Sequence, residues 1–180
     1  MEAPLVWIII GVAGSGKTTI GRQLAERLDC DFIEGDRRHP PSNIAKMAEG
    51  IPLNDADRAA WLDDLAAEVR RASDARREMV MSCSALRRMY RDQLKSAGRA
   101  QMVLPVVPQE ILLARLAQRS NHYMSARMLQ EQLTAFELPV PDEGVWHFDG
   151  LAPADEVIDQ LIARVRQQWP QLREAWWRRT

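Results

Sequence analysis

The chain has 180 residues, a formal net charge of −1 and 46% hydrophobic residues, the make-up of one globular domain of ordinary size. That length buries a core without covalent staples. Two cysteines, Cys30 and Cys83, are too few for a disulfide framework, and the near-zero charge gives no field that would select nucleic acid or an acidic membrane.

The opening run MEAPLVWIII is too short for a bilayer and carries no basic n-region. A reducing, cytoplasmic setting is therefore expected, with neither membrane nor nucleic acid as partner. Within that run, residues 5–10 are continuously apolar and β-branched, which predicts a buried central strand. Ile20, Leu24 and Leu28 then recur at helical spacing. A second strand is predicted over 31–34, followed by an HPPS loop and a short helix around Ile44 and Met47 that Gly50 ends. Asn54 is placed to cap a longer helix whose core face is Trp61, Leu65 and Val69, flanked by Leu62 and Ala66.

Farther on, a third strand is predicted over 79–82, a helix over 86–94 and a fourth strand over 102–107. Helical spacing returns at Ile111, Leu112 and Leu116, and again at Leu129, Leu133 and Phe136 after a Ser125 cap. A fifth strand falls over 145–148, and a last helix carries Val157, Ile158, Leu161, Ile162 and Val165 behind Pro153. Strands alternating with helices predict an α/β fold with a five-stranded parallel sheet. Residues 1–169 form one domain, and 170–180 a basic tail holding Trp176 and Trp177. That tail folds back on the body or is partly disordered, or else it meets a second subunit.

Chemistry is densest where the first strand meets the first helix. Gly11-Val12-Ala13-Gly14-Ser15-Gly16-Lys17-Thr18 matches the Walker A pattern, with Thr19 next in the helix. The glycines let the backbone approach phosphate, and the converging N–H groups form an anion nest at a helix N-terminus. Lys17 is suited to the β- and γ-phosphates of ATP, and the Thr18 hydroxyl to Mg²⁺. The guanine-reading Asn-Lys-x-Asp and the transporter Leu-Ser-Gly-Gly signatures are absent, and the third strand ends in Ser82-Cys83-Ser84 without an acid. Small-molecule kinases of the nucleoside, shikimate or sugar-acid type fit that pattern best.

Glu34 and Asp36 follow the second strand, at the carboxyl edge where open α/β sheets bind ligands. On an extended chain they share one side, about 7 Å apart. One is suited to hold the metal and the other to take the proton of an attacking hydroxyl. The competing reading is a pair of surface loop acids.

The stretch EGDRRHPPSNIAKMAEGIPLNDADRAAWL closely resembles the gluconate kinase family of P-loop kinases through Gly35-Asp36, His39-Pro40, Asn43-Ile44, Lys46-Met47, Gly50, Pro52 to Asp55, Asp57-Arg58 and Trp61-Leu62. A second block, Cys83-Ser84-Ala85-Leu86 with Tyr90-Arg91-Asp92, is also similar to the family, with Arg87-Arg88 as its basic pair. A looser third block holds Arg115, Arg119, His122, Gln132, Glu137 and Pro139. Ala60 replaces a usual proline, Tyr123 a usual Phe, and Leu133 and Phe136 exchange the usual order. All four read as repacking.

The resemblance implies a three-layer P-loop kinase fold with helices on both faces of the sheet and a small lid over 119–126. It implies transfer of phosphate from ATP to the 6-hydroxyl of D-gluconate, with Mg²⁺, in a homodimer. The alternatives are a kinase for another small hydroxylated acid and a nucleotide-binding regulator without turnover. Lys17, Asp36 and Arg119 are the expected catalytic residues. Gly11 through Thr19, with Arg115 and Arg119, are expected to bind the nucleotide, and Thr18 and Glu34 the metal. Asp36, His39, Lys46, Arg58, Arg87 and Arg91 are expected to bind the acceptor. Its carboxylate needs one cation, and the sequence offers several. A competing reading makes Arg87, Arg91 and Lys95 a solvated helix stripe, with Arg88 paired to Asp92.

Overall fold

Strand β1 (Val6–Ile10) is wholly buried and lies at the centre of the sheet. The computed structural model describes residues 6–118 and 126–170. β2 (Asp31–Glu34), β3 (Met79–Cys83), β4 (Ala100–Val106) and β5 (Trp146–Asp149) complete a parallel sheet in the order β2-β3-β1-β4-β5. Each strand hands the chain to a helix, which is why all five run the same way.

Period-two alternation divides β1 between two cores. Trp7 and Ile9 join Val80, Val103, Trp146 and Phe148 against α1 (Lys17–Leu28) and α7 (Ala154–Gln168). Val6, Ile8 and Ile10 join Met79, Met81 and Leu104 against α3 (Asp55–Asp74) and α4 (Arg88–Ser96). The result is three layers, with helices on both faces. Trp61, Leu62, Leu65, Ala66 and Val69 are all buried, as their spacing predicts. Asn54 caps α3 through its side chain, and Asp57 returns the bond to the Asn54 amide, closing a capping box.

A third, smaller core forms where Val12 and Leu86 meet Leu112 and Leu116 of α5 (Gln109–Ala117) and Leu129 of α6 (Ala126–Ala135). It corrects one boundary. α4 starts at Arg88, not at 86, because Leu86 is drawn into this core behind Ala85 at φ 40° while Arg87 stays extended. The first α4 amide, on Arg88, donates to the Glu137 carboxylate from across the chain. At the far end Trp169 is buried and packs against Trp146 with ring centroids 6.0 Å apart. The tail expected over 170–180 and the lid expected over 119–126 fall almost wholly outside the described residues. No helix among the described residues is long and apolar enough to cross a membrane.

Candidate active site

The loop from Gly11 to Gly16 sits at the carboxyl end of β1 and opens α1. Gly16 is the helix N-cap at φ 91°, and Gly11 and Gly14 also lie at positive φ, 133° and 83°. Those angles strain any L side chain, so the glycines are a backbone requirement. The Val12 carbonyl accepts from the Ser15 hydroxyl at 2.9 Å and from Lys17 Nζ at 3.1 Å. Lys17 is thus folded over its own loop, 8% exposed. Thr18 Oγ1 donates to Glu34 Oε1 at 3.0 Å, while Thr19 is exposed on the next turn. Arg115 donates to the carbonyls of Gly14 at 3.1 Å and Gly150 at 3.0 Å, tying the loop to the turn after β5.

Glu34 and Asp36 both stand at the sheet edge, but they do not share an extended chain. A 3₁₀ turn (Gly35–Arg38) begins between them and ends the alternation. Glu34 turns to Thr18, Arg22 and Arg37. Asp36 accepts from the Ser84 amide at 2.9 Å and lies 3.7 Å from Lys17 Nζ. Gly35 permits this turn, since a Cβ there would come within 2.7 Å of the Ser82 carbonyl. Its own carbonyl accepts from Trp61 Nε1 at 2.8 Å.

Asp36 also borders a cavity of about 610 Å³, lined in part by His39, Leu53, Arg58, Ser84, Arg87 and Gln132. His39 stacks on Trp61 at 4.1 Å between centroids. Burial, opposed by the Asp36 charge and assisted by Arg58, lowers its pKa from 6.5 to about 4, so the ring is neutral at physiological pH. Arg58 donates to the Leu53 carbonyl and lies over the Tyr90 ring. Arg87 pairs with Asp55 at 2.8 Å and keeps one edge in the cavity.

Two expected acceptor residues stand elsewhere. Arg91 is 1% exposed, and its guanidinium is bidentate to Glu143, at 2.6 and 3.0 Å, with further bonds to the Ala85 and Leu86 carbonyls. It holds the segment before β5 against α4, and it is not part of the cavity wall. The solvated-stripe reading fails at the same residue. Lys46 pairs with Asp57 at 2.6 Å and holds that carboxyl below its ordinary range, while its neighbour Met47 faces the cavity. Arg88 does lie near Asp92, at 3.6 Å, and nearer to Asp142, at 2.8 Å. Arg119 is outside the described residues. Cys83 is fully buried, and burial pushes its thiol up, away from any nucleophilic role.

Two contacts had no signal in local spacing. Gln132 Oε1 accepts the Ala13 amide at 2.7 Å, across 119 residues of chain. Asn43, 2% exposed, donates to the Asp57 carbonyl at 2.8 Å and lies 3.2 Å from His39 Nδ1. Both residues stand in the blocks that resemble the gluconate kinase family, which is the signal the sequence carried for them; Asn43 lies on α2 (Pro41–Ala48).

The loop and its donors fit a nucleotide with its metal. The glycine backbone leaves room for phosphate, and Thr18 with Glu34 supplies the hard oxygen donors that Mg²⁺ takes.

The chain is similar to known proteins over nearly its whole length. A family model described as an AAA domain matches residues 6–139. A gluconokinase of Gluconobacter oxydans is 41% identical over 165 residues, covering 88% of this chain and 90% of the relative. The thermosensitive gluconokinase of Escherichia coli is 39% identical over 166 residues, covering 89% of each. The crystal structure of a gluconokinase from Sinorhizobium meliloti superposes with a TM-score of 0.82 at 36% identity, covering 96% of this chain and 97% of that one. With its Walker A loop, five-stranded parallel sheet and these relatives, the chain belongs to the gluconokinase family of P-loop kinases.

Proposed function

We propose that the protein transfers the γ-phosphoryl group of ATP to the 6-hydroxyl of D-gluconate, giving 6-phospho-D-gluconate and ADP. The observation that carries this is the position of Asp36. It stands 3.7 Å from the Walker lysine on one side and lines the 610 Å³ cavity on the other. A hydroxyl held at Asp36 is therefore presented to a phosphate held by the loop.

In the reaction the hydroxyl oxygen bonds to the γ-phosphorus as the bond to the ADP oxygen breaks. The hydroxyl proton passes to Asp36. Ser84 N–H fixes one oxygen of that carboxylate at 2.9 Å, which aims it. Lys17 contacts Asp36 only loosely, and exchanging its bond to the Val12 carbonyl for the phosphate would let it follow the transferring charge. Thr18 and Glu34 would hold Mg²⁺, which would neutralise phosphate charge. Arg58 and Arg87 offer guanidinium groups to the acceptor carboxylate, and His39 offers a neutral polar edge to its hydroxyls. Arg115 braces the phosphate loop through Gly14. Arg119 takes the part of the lid arginine, in a lid over 119–126. Arg91 and Lys46, which do not line the cavity, are left out of acceptor binding.

Cytoplasmic location and a homodimer complete the proposal. The first is supported by the composition and cysteine usage, the second by the family resemblance alone.

The test is ADP release by purified protein with Mg·ATP and a panel of acceptors. Gluconate is expected to give the highest kcat/KM, with much less from shikimate and glucose. A higher value for shikimate would overturn the acceptor and leave the kinase standing. No turnover with any acid would favour a nucleotide-binding regulator.

A further inference from the structure

Asn43 reaches its two partners through one atom. Its Nδ2 lies 2.8 Å from the Asp57 carbonyl oxygen and 3.2 Å from His39 Nδ1. The carbonyl has no proton, so it must face the NH₂ end of the amide. That NH₂ group only donates. His39 Nδ1 must therefore present its lone pair, and the ring proton sits on Nε2.

The ring has little freedom to escape this assignment. It is 9% exposed and lies on the Trp61 face at an interplanar angle of 19°. Trp61 is itself pinned by its bond to the Gly35 carbonyl, one residue before Asp36. Among the described residues Nε2 has no protein partner, although His39 lines the cavity that Asp36 borders. A partly buried N–H without a partner fits a ligand oxygen.

We propose that Asn43 is a positioning residue that locks His39 as its Nε2–H tautomer, so that the imidazole donates a hydrogen bond to a hydroxyl or carboxylate oxygen of the acceptor. This rests on the reading of the cavity as the acceptor site. The charged groups around the ring are Asp36 on the 3₁₀ turn, Arg58 on α3, the Lys46–Asp57 pair between α2 and α3, and Arg87 across the cavity. Their effects oppose one another, and burial keeps the ring neutral.

The experiment is long-range ¹H–¹⁵N correlation on the full chain labelled in its three histidines, with His39→Phe to assign the signal. The neutral Nε2–H pattern is expected from about pH 6 to about pH 8, with the Nε2 resonance moving when gluconate is added. Asn43→Asp replaces the donor with an acceptor. Its carboxylate holds a proton on Nδ1 and raises the ring pKa, so Nε2 loses its proton as pH rises. In that variant the gluconate KM is expected to climb roughly three- to tenfold from about pH 5.5 to about pH 8, the loss of one hydrogen bond. The ATP KM should not follow.

An Nδ1–H tautomer in the unmodified protein overturns the proposal. So does an Asn43→Asp variant with the parent's tautomer and pH profile. If Asn43→Asp does not fold, the parent spectrum decides alone. Failure to phosphorylate gluconate would remove the acceptor reading but leave the tautomer spectrum to be judged separately.

Discussion

Gln132 of α6 accepts the Ala13 amide of the phosphate loop at 2.7 Å, so a side chain 119 positions farther along the chain grips the loop that opens α1.

Removing that grip should matter most when the loop is empty. Gln132→Leu leaves the Ala13 N–H without its acceptor, at a cost of about 1–3 kcal/mol. A bound nucleotide can supply the missing oxygen. The variant is therefore expected to lose thermal stability in the free state and to recover most of it with saturating ATP analogue. Equal losses in both states would show that the contact is only packing.

Lys17 and Asp36 should separate cleanly. Lys17→Ala removes a charge-assisted contact worth about 1.5–3 kcal/mol in binding and more in the transition state, so turnover falls further than ATP affinity. Asp36→Asn keeps an oxygen for the Ser84 amide but loses the basicity. Its kcat is expected to drop by about 10²–10⁴-fold with ATP binding little changed. A loss under about tenfold would reduce Asp36 to a structural acid.

Arg91 and Glu143 form a bidentate pair, both buried. Hydrogen bonding from Arg91 lowers the Glu143 pKa, despite the opposing effect of burial. Arg91→Met strands the carboxylate and is expected to cost about 3–5 kcal/mol in urea unfolding. Pairing it with Glu143→Leu should recover much of the loss, because two apolar groups leave no uncompensated charge. A single variant within about 1 kcal/mol of the parent would mean the pair is solvated in practice.

His39 makes stability fall in mild acid. Its folded pKa is about 4 against 6.5 for the free ring. Between those values the unfolded chain binds a proton that the folded chain refuses, so stability rises with pH there. The contribution is complete above the free-ring value and is lost as pH falls toward the folded one. Its size is on the order of 2 kcal/mol, after discounting for the ring's remaining contact with solvent. His39→Phe should flatten the stability profile across this window, and an unchanged slope would show that the ring titrates normally.

What the sequence determined on its own was whatever neighbours along the chain decide. The phosphate loop occupies eight consecutive residues, and the glycines that take its positive φ angles stand within them. The Asn54–Asp57 capping box closes over three positions. Helical spacing already marked the buried faces of α1, α3 and α7, and the continuous apolar run marked β1 as a central strand. The tertiary structure decided everything that spans the sheet. Whether Arg91 faces solvent, substrate or Glu143 depends on a residue 52 positions farther along returning beside α4. Asp36 meets Lys17 only because the turn after β2 bends toward the phosphate loop, where the Ser84 amide at the end of β3 holds its carboxylate. Residue spacing carries local geometry, but the order of strands in a sheet is settled by how whole layers pack, and the cavity beside Asp36 is built from that order.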